Sequence, residues 1–275
     1  MKERTKEYFT RLNRDSKLYQ KIFWWSLRLL MIGGIFYTAF IQKEFPEGIT
    51  RMRQVLQMSA NLVGLFAWEI AQMTSEKCFM RYLPAYIQNY AVVSFTLASF
   101  GGAFLNFYYS IRFYDLLLHL TGGAAGTWIG YEAITAMQLR DRKKGTTTSI
   151  AIWAAAGLCF MVCTGWELFE FTFDQIGGGD SQHWSMELAR QAAERYGTNP
   201  IPNIIPHLDD ARFALMDTME DTICNTLGTV IVMIFLKFFP YNHKGKHNVD
   251  DRIDALLAQD AAKAGVKQPK ESVTV

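Results

Sequence analysis

Residues 216–239 read MDTMEDTICNTLGTVIVMIFLKFF, and this stretch combines two features that conflict with each other. It is long enough, and its second half apolar enough, to cross a hydrocarbon layer of about 30 Å as a helix. Its first half carries Asp217, Glu220, Asp221 and Asn225. Because charged groups are costly inside a membrane unless they are partnered, the sequence indicates a spanning helix with a functional polar end.

The rest of the chain has the same apolar character in five further windows. Hydrophobic residues make up 50% of the 275 residues, but charged ends and loops dilute the mean hydropathy to +0.02. Six windows of about 20 residues qualify as membrane spans. They are numbered spans 1 to 6 and lie near residues 22–41, 55–73, 85–109, 113–137, 149–171 and 216–239. We predict an all-α, polytopic membrane protein with six transmembrane helices.

Lysine and arginine are unevenly distributed among the predicted loops. The N-terminal segment, the 74–84 and 138–148 loops and the tail after Tyr241 carry 19 of them, against seven on the opposite side. Since positive residues favour cytoplasmic loops, both termini are predicted to be cytoplasmic. The long loop between spans 5 and 6 then faces outward. The predicted organisation is a cytoplasmic basic segment at 1–21, a six-helix membrane domain at 22–241 including an outward cap at 175–215, and a partly disordered cytoplasmic tail at 242–275.

Several protein classes are disfavoured by the composition. A cleavable signal peptide is not expected, because 21 polar residues precede the first apolar segment. The net charge of +2 is small and the basic residues are dispersed, which argues against nucleic-acid binding. The four cysteines, Cys78, Cys159, Cys163 and Cys224, form no CxxC pair, so we interpret them as small core residues rather than a disulfide framework.

Polar side chains recur at helical spacing on the outward ends of three predicted spans, and each set shares one face of its helix. The sets are Asp115 and His119 on span 4, Glu167, Glu170 and Asp174 on span 5, and Asp217, Asp221 and Asn225 on span 6. Because the three helix ends lie at the same predicted depth, we expect these side chains to meet.

A cluster of carboxylates requires a compensating cation or shared protons, because like charges repel. A divalent metal is the simplest solution: oxygen-rich ligation favours Mg²⁺, Mn²⁺ or Ca²⁺, while Zn²⁺ would use His119 and histidines of the outward loop, His183 and His207. Two other interpretations stay open. One is a proton-sharing polar network paired with Arg112, and the other is a set of unrelated interfacial residues.

Other polar and small residues in the spans have structural explanations. Arg28 in span 1 is placed to pair with Glu69 or Glu132, both near cytoplasmic ends, as a structural ion pair. The glycine pairs 33–34, 101–102 and 122–123 indicate close helix packing.

The segments FYDLLLHLTGG, GWELFEFTFD and DTMEDTICNTLG resemble the YjdF-like family of bacterial inner-membrane proteins. That family has an Asp-x3-His helix followed by glycine, a Trp-Glu-x2-Glu helix end and an Asp-x3-Asp helix ending in glycine. The positions carried over are Asp115, His119, Gly123, Trp166, Glu167, Glu170, Asp217, Asp221 and Gly228. The Asp-x3-His piece is also similar to VanZ-like proteins, which are linked to glycopeptide resistance. The resemblance implies a multi-pass protein of the bacterial plasma (inner) membrane, but no chemistry.

Three functions are compatible with the sequence. The first is a metal-dependent membrane hydrolase or transferase acting on a lipid or lipid-linked envelope substrate. Its predicted metal ligands are Asp115, His119, Glu167, Asp217 and Asp221, with His119 or Glu170 as the catalytic base. The second is a proton- or cation-coupled transporter, which predicts a polar route onward to Glu69 and Glu132. The third is a non-catalytic membrane binding or scaffold protein.

Overall fold

The computed structural model describes residues 2–45, 50–111, 113–177, 181–182, 213–242 and 248–263. All regular secondary structure in these ranges is helical, which confirms the predicted all-α class. Most of the predicted outward cap lies outside the described residues, as do Arg112, His183 and His207.

The described ranges contain ten α-helices. They are α1 (Lys2–Asp15), α2 (Leu18–Phe40), α3 (Arg51–Gly64), α4 (Ala67–Gln72), α5 (Ile87–Thr96), α6 (Phe107–Ser110), α7 (Tyr114–Asp141), α8 (Thr148–Gly177), α9 (Phe213–Phe238) and α10 (Val249–Lys263). A 3-10 helix, Phe79–Tyr82, precedes α5, and a π-helix, Leu97–Phe104, continues it.

Three of the helices are long and apolar enough to cross a membrane: Leu18–Phe40, Thr148–Ile176 and Ala214–Phe238. They correspond to the predicted spans 1, 5 and 6. Span 4 corresponds to α7, a helix of 28 residues that includes Asp115, His119 and Glu132. Spans 2 and 3 are helical but irregular, since span 2 is divided between α3 and α4 and span 3 passes from α5 into the π-helix.

The break in span 2 has a physical cause in its neighbours. The Leu65 carbonyl, between α3 and α4, accepts hydrogen bonds from Arg28 Nη2 at 2.6 Å and from the Gln88 side-chain amide. Gln88 Oε1 in turn accepts the Trp68 backbone N–H at 2.7 Å. Side chains from α2 and α5 therefore satisfy backbone groups that an unbroken helix would satisfy itself, as a buried break requires.

Arg28 also forms the predicted ion pair, and its partner is Glu69. Arg28 Nη2 lies 2.6 Å from Glu69 Oε1, and the guanidinium carbon is 3.9 Å from the Phe66 ring centroid. Arg28 is fully buried, so its charge is held by this carboxylate, the Leu65 carbonyl and an aromatic face together.

The described residues form three buried apolar clusters, of which two are large. The first joins α2 to α5 through Trp24, Met31, Met58, Leu65, Trp68, Ala85 and Val92. The second joins α7, α8 and α9 through Tyr131, Ala151, Ile152, Ala155 and Leu236. All four cysteines are free, as predicted, and Cys159 is buried in the second helix group.

Helices α7 and α9 touch backbone to backbone. A Cβ atom added to Gly123 would lie 2.0 Å from the Asn225 carbonyl oxygen, and one added to Gly228 would lie 2.0 Å from the Leu120 carbonyl oxygen. Only glycine permits this approach. The close packing expected of the three glycine pairs is thus present at Gly123, whereas Gly33 faces open space. Neighbouring side chains also lie against Gly34, Gly101 and Gly102.

The basic segments meet at one end of the molecule. Arg81 Nη2, in the 3-10 helix, lies 2.9 Å from Glu7 Oε1 of α1. At the end of α7, Arg142 Nη2 lies 3.0 Å from Asp260 Oδ2 of α10, and its guanidinium carbon is 5.7 Å from the Tyr82 ring centroid. The first turn of α7 lies at the other end, because 28 helical residues extend about 42 Å.

Candidate functional site

The start of α7 positions the first two site residues. Phe113 has φ 65°, an uncommon conformation for a bulky residue, so the chain turns sharply before α7 begins at Tyr114. The Tyr114 hydroxyl donates to the Leu97 carbonyl at 2.9 Å, which ties this first turn to the π-helix. Asp115 follows directly and His119 lies one turn later, so both project from the same face.

His119 is the point at which three helices converge. Its Nε2 lies 3.6 Å from Asp115 Oδ1 of α7 and 3.5 Å from Asp221 Oδ2 of α9. Its Nδ1 lies 3.1 Å from Asn225 Nδ2 of α9 and 3.9 Å from Glu167 Oε1 of α8. The predicted meeting of the three polar helix ends is therefore present, and the contact of Gly123 with the Asn225 backbone holds it together.

The spacing of these atoms suits a metal ion. One ligand atom each from Asp115, His119 and Asp221 lies within 4.8 Å of the other two. Ligands held about 2.1 Å from an ion are roughly 3.0 Å apart at right angles and about 4.2 Å apart when opposite. The separations of 3.5 and 3.6 Å around His119 Nε2 fall within that interval.

Glu167 provides a second, independent observation. It is 8% exposed, and neither carboxylate oxygen has a hydrogen-bond partner among the described residues. A buried carboxylate in that state is strongly disfavoured unless a cation or a proton accompanies it. Its Oε1 lies on the Nδ1 side of the His119 ring, so the unsatisfied charge belongs to the same cluster.

Two further predicted residues border this centre. Asp217, one turn before Asp221, is buried and close enough to Asp115 and Glu170 to repel their charges. Glu170 accepts a hydrogen bond from Trp166 Nε1 at 2.9 Å. The roles assigned to these residues, ligation by Asp217 and general base catalysis by Glu170, stay predictions.

Asp174 and Gln182 form a contact that sequence periodicity did not identify. The Asp174 carboxylate accepts the backbone N–H groups of Ser181 and Gln182, each at 2.8 Å, and so anchors the chain after α8. Gln182 is buried, and its amide donates to Thr218 Oγ1 at 2.9 Å. Gln182 lies in a glycine-rich loop without helical spacing, so no pattern in the sequence pointed to it.

The comparisons with known proteins give one match. No curated protein and no solved structure matches the chain. The family model described as "Predicted membrane protein (DUF2238)" matches residues 30–241, a range that contains the whole His119 cluster. The more specific resemblance to YjdF-like and VanZ-like proteins stays a prediction. Because the match covers well over half of the 275 residues, the chain belongs to this family of predicted membrane proteins.

Proposed function

We propose that the protein binds a divalent metal ion within the membrane, at the ends of α7, α8 and α9. The observation that carries the proposal is the convergence of Asp115, Asp221 and Glu167 on His119. Asp217 would contribute from the next turn of α9. A bound cation would compensate the buried Glu167 carboxylate, for which the described residues provide no hydrogen bond.

The donor set limits the choice of ion. Carboxylate oxygens outnumber the single imidazole nitrogen, which favours Mg²⁺, Mn²⁺ or Ca²⁺. Zn²⁺ is also compatible, because His119 Nε2 and two aspartate oxygens resemble the mixed nitrogen and oxygen ligation of catalytic zinc sites.

A metal-dependent hydrolase or transferase acting on lipid or lipid-linked substrates is the activity that this placement supports best. Leu117, Leu168 and Ile223 are exposed on the same helices that carry the cluster, so apolar chains have direct access to its surroundings. When bound, the metal would activate water or neutralise a phosphate. Glu170 would accept a proton from the attacking group, and His119 would do so only if the carboxylates alone held the ion, because a metal-bound ring with its proton on Nδ1 has no free lone pair.

The test is elemental analysis of the purified chain for Mg, Mn, Ca and Zn. We expect about one equivalent of a divalent metal in the native protein and a loss of most of it in Asp221→Ala, because Asp221 supplies a ligand from the most buried position. Asp141→Ala, which removes an exposed acid at the far end of α7, is the matched control and should keep the metal. Native metal content in a folded Asp221→Ala variant would refute the proposal.

A cation-coupled transporter is a second candidate. It is favoured by a set of buried polar groups that lies farther along α7 than the His119 cluster. The Gly123 carbonyl accepts hydrogen bonds from Thr127 Oγ1 at 2.9 Å and from Cys159 Sγ at 3.3 Å, and Thr229 Oγ1 lies 3.5 Å away. These groups lie between the His119 cluster and Glu132 along α7. Metal uptake into proteoliposomes that is lost in Thr229→Val would favour the transporter over the enzyme. Metal binding without uptake and without enzymatic activity would favour a scaffold.

Our proposed placement is in a bacterial plasma (inner) membrane, with six spans, cytoplasmic termini and the cluster on the outward side. The lysine and arginine distribution supports the orientation. The contacts between α1, the 3-10 helix, the α7–α8 loop and α10 support a shared side for the basic segments.

A further inference from the structure

An aromatic cavity lies toward the end of α7 that is remote from the His119 cluster. It measures about 470 Å³ and is lined by Tyr86, Asn89, Tyr90, Trp128 and Tyr241. Trp128 follows His119 by nine residues, which places it roughly 14 Å farther along the helix axis. The cavity is therefore separate from the proposed metal site.

The lining of this cavity favours a positively charged occupant. Four of the five lining residues are aromatic, and none of the five carries a positive charge. The rings of Tyr86 and Tyr90 stand nearly perpendicular, at 75°, with centroids 6.5 Å apart. Aromatic faces are electron-rich and attract cations placed against them, so a corner of such rings can surround one.

A buried carboxylate is hydrogen-bonded to the cavity lining at Tyr86. Glu132, one turn after Trp128 on α7, is 2% exposed and accepts hydrogen bonds from the Tyr86 hydroxyl and from Asn242 Nδ2, the latter at 2.7 Å. Trp128 Nε1 donates to the Tyr86 hydroxyl oxygen at 3.2 Å. This chain of hydrogen bonds fixes two of the rings, and the donated hydroxyl makes the Tyr86 ring more negative.

We infer that the cavity binds an organic ammonium ion, presented either by a phospholipid head group or by a free small molecule such as choline. Its volume lies within the usual range of ligand pockets, about 300 to 1,000 Å³. A small inorganic cation is a poorer fit because the five lining side chains include no carboxylate to replace its water shell. An alkylammonium group needs no such replacement, since ring faces contact its methyl or methylene groups directly.

Choline binding to the purified full-length protein, in an uncharged detergent, tests this inference. Trp fluorescence and calorimetry would be compared for choline and for dimethylbutanol, its uncharged isostere. We expect saturable choline binding and at least about fivefold weaker binding of dimethylbutanol, because only the charged ligand gains the cation–π attraction.

Two variants locate the site. Tyr90→Leu should weaken choline binding by about fivefold or more, and Tyr90 is 38% exposed, so the fold should tolerate its loss. Glu132→Gln should weaken choline binding as well, because it removes the negative charge that accepts the Tyr86 hydrogen bond and keeps the size of the side chain. Trp153→Leu, at an exposed aromatic on α8 outside the cavity, is the matched control and should bind choline normally.

Nanodiscs separate the two sources of the ligand. Both nanodiscs are measured at high ionic strength, so that the negative phosphatidylglycerol surface does not concentrate choline. Weaker apparent choline binding in phosphatidylethanolamine than in phosphatidylglycerol would then identify the lipid head group as the occupant, whereas equal binding would identify a free cation. The inference is overturned if choline does not bind saturably in detergent or nanodiscs, if dimethylbutanol binds equally well, or if folded Tyr90→Leu binds choline like the native chain.

Discussion

The two ring nitrogens of His119 have different surroundings, and this difference constrains how the residue can hold a metal. Nε2 faces Asp115 and Asp221, while Nδ1 faces the Asn225 amide. A nitrogen that ligates a cation must present its lone pair, so metal binding at Nε2 requires the proton on Nδ1. In the structure Asn225 Nδ2 faces Nδ1 at 3.1 Å, so metal binding at Nε2 requires the Asn225 amide to turn over and present Oδ1 to the Nδ1 proton. In that orientation Asn225 is a positioning residue rather than a ligand.

Replacing Asn225 with leucine tests this positioning role. Asn225→Leu keeps the size of the side chain but removes the acceptor, and we expect metal affinity to fall about 10-fold to 100-fold. Isothermal titration of the metal-stripped chain measures the change. Thr226→Val, one residue farther along α9, is the control and should titrate like the native chain. An unchanged affinity in Asn225→Leu would mean that Asn225 does not orient the ring.

Helical spacing was sufficient to predict the site residues that project from straight helices. Asp115, His119, Glu167 and Asp221 meet as expected, because residues one turn apart share a face whatever the tertiary structure. The same spacing could not choose between Glu69 and Glu132 as the partner of Arg28, because both lie at the same predicted depth. That choice depends on which helix packs against α2.

The second predicted span is divided between α3 and α4, a break that hydropathy does not predict. Residues 55–73 are continuously apolar enough to suggest one helix, yet α3 ends at Gly64 and α4 begins at Ala67. Arg28 and Gln88 donate hydrogen bonds to the backbone carbonyl at this break, and these two residues belong to α2 and α5. A break stabilised by other helices leaves no local signal in the sequence of the broken one.

The backbone contact between α7 and α9 leads to a prediction about Gly228. In Gly228→Ala the new methyl group would meet the Leu120 carbonyl oxygen at 2.0 Å and the Ala124 backbone nitrogen at 2.8 Å, so the helices must separate. We expect a loss of about 1–3 kcal/mol in the free energy of unfolding. Metal affinity should fall with it, because Asn225 lies one turn before this contact. Thermal unfolding in detergent and metal titration are the measurements.

Gly157→Ala on α8 is the matched control, because nothing lies within 4 Å of its added methyl group. It should leave the protein unchanged or stabilise it by up to about 1 kcal/mol, since alanine favours helix more than glycine does. If Gly228→Ala melted at the same temperature as Gly157→Ala, the backbone contact would not determine how α7 and α9 pack.

The basic segments and the carboxylate cluster lie at opposite ends of the molecule. Counting lysine and arginine predicted which segments share a side, and the contacts of Arg81 with Glu7 and of Arg142 with Asp260 bring those segments together. The carboxylate cluster occupies the opposite end. The count could not predict that α10 packs against the end of α7, because that contact involves apolar residues, Val249 and Ile253, far away in sequence.

This division makes the orientation testable with single cysteines at three exposed lysines, in a chain whose native cysteines are replaced by alanine. We expect a membrane-impermeant maleimide to label Lys43→Cys in intact cells, but Lys77→Cys and Lys143→Cys only after permeabilisation, because the basic loops should face the cytoplasm. Labelling of Lys77→Cys in intact cells would mean that the broken α3–α4 segment does not cross the membrane. A fully reversed pattern would place the His119 cluster on the cytoplasmic side, and its substrate would then have to be cytoplasmic.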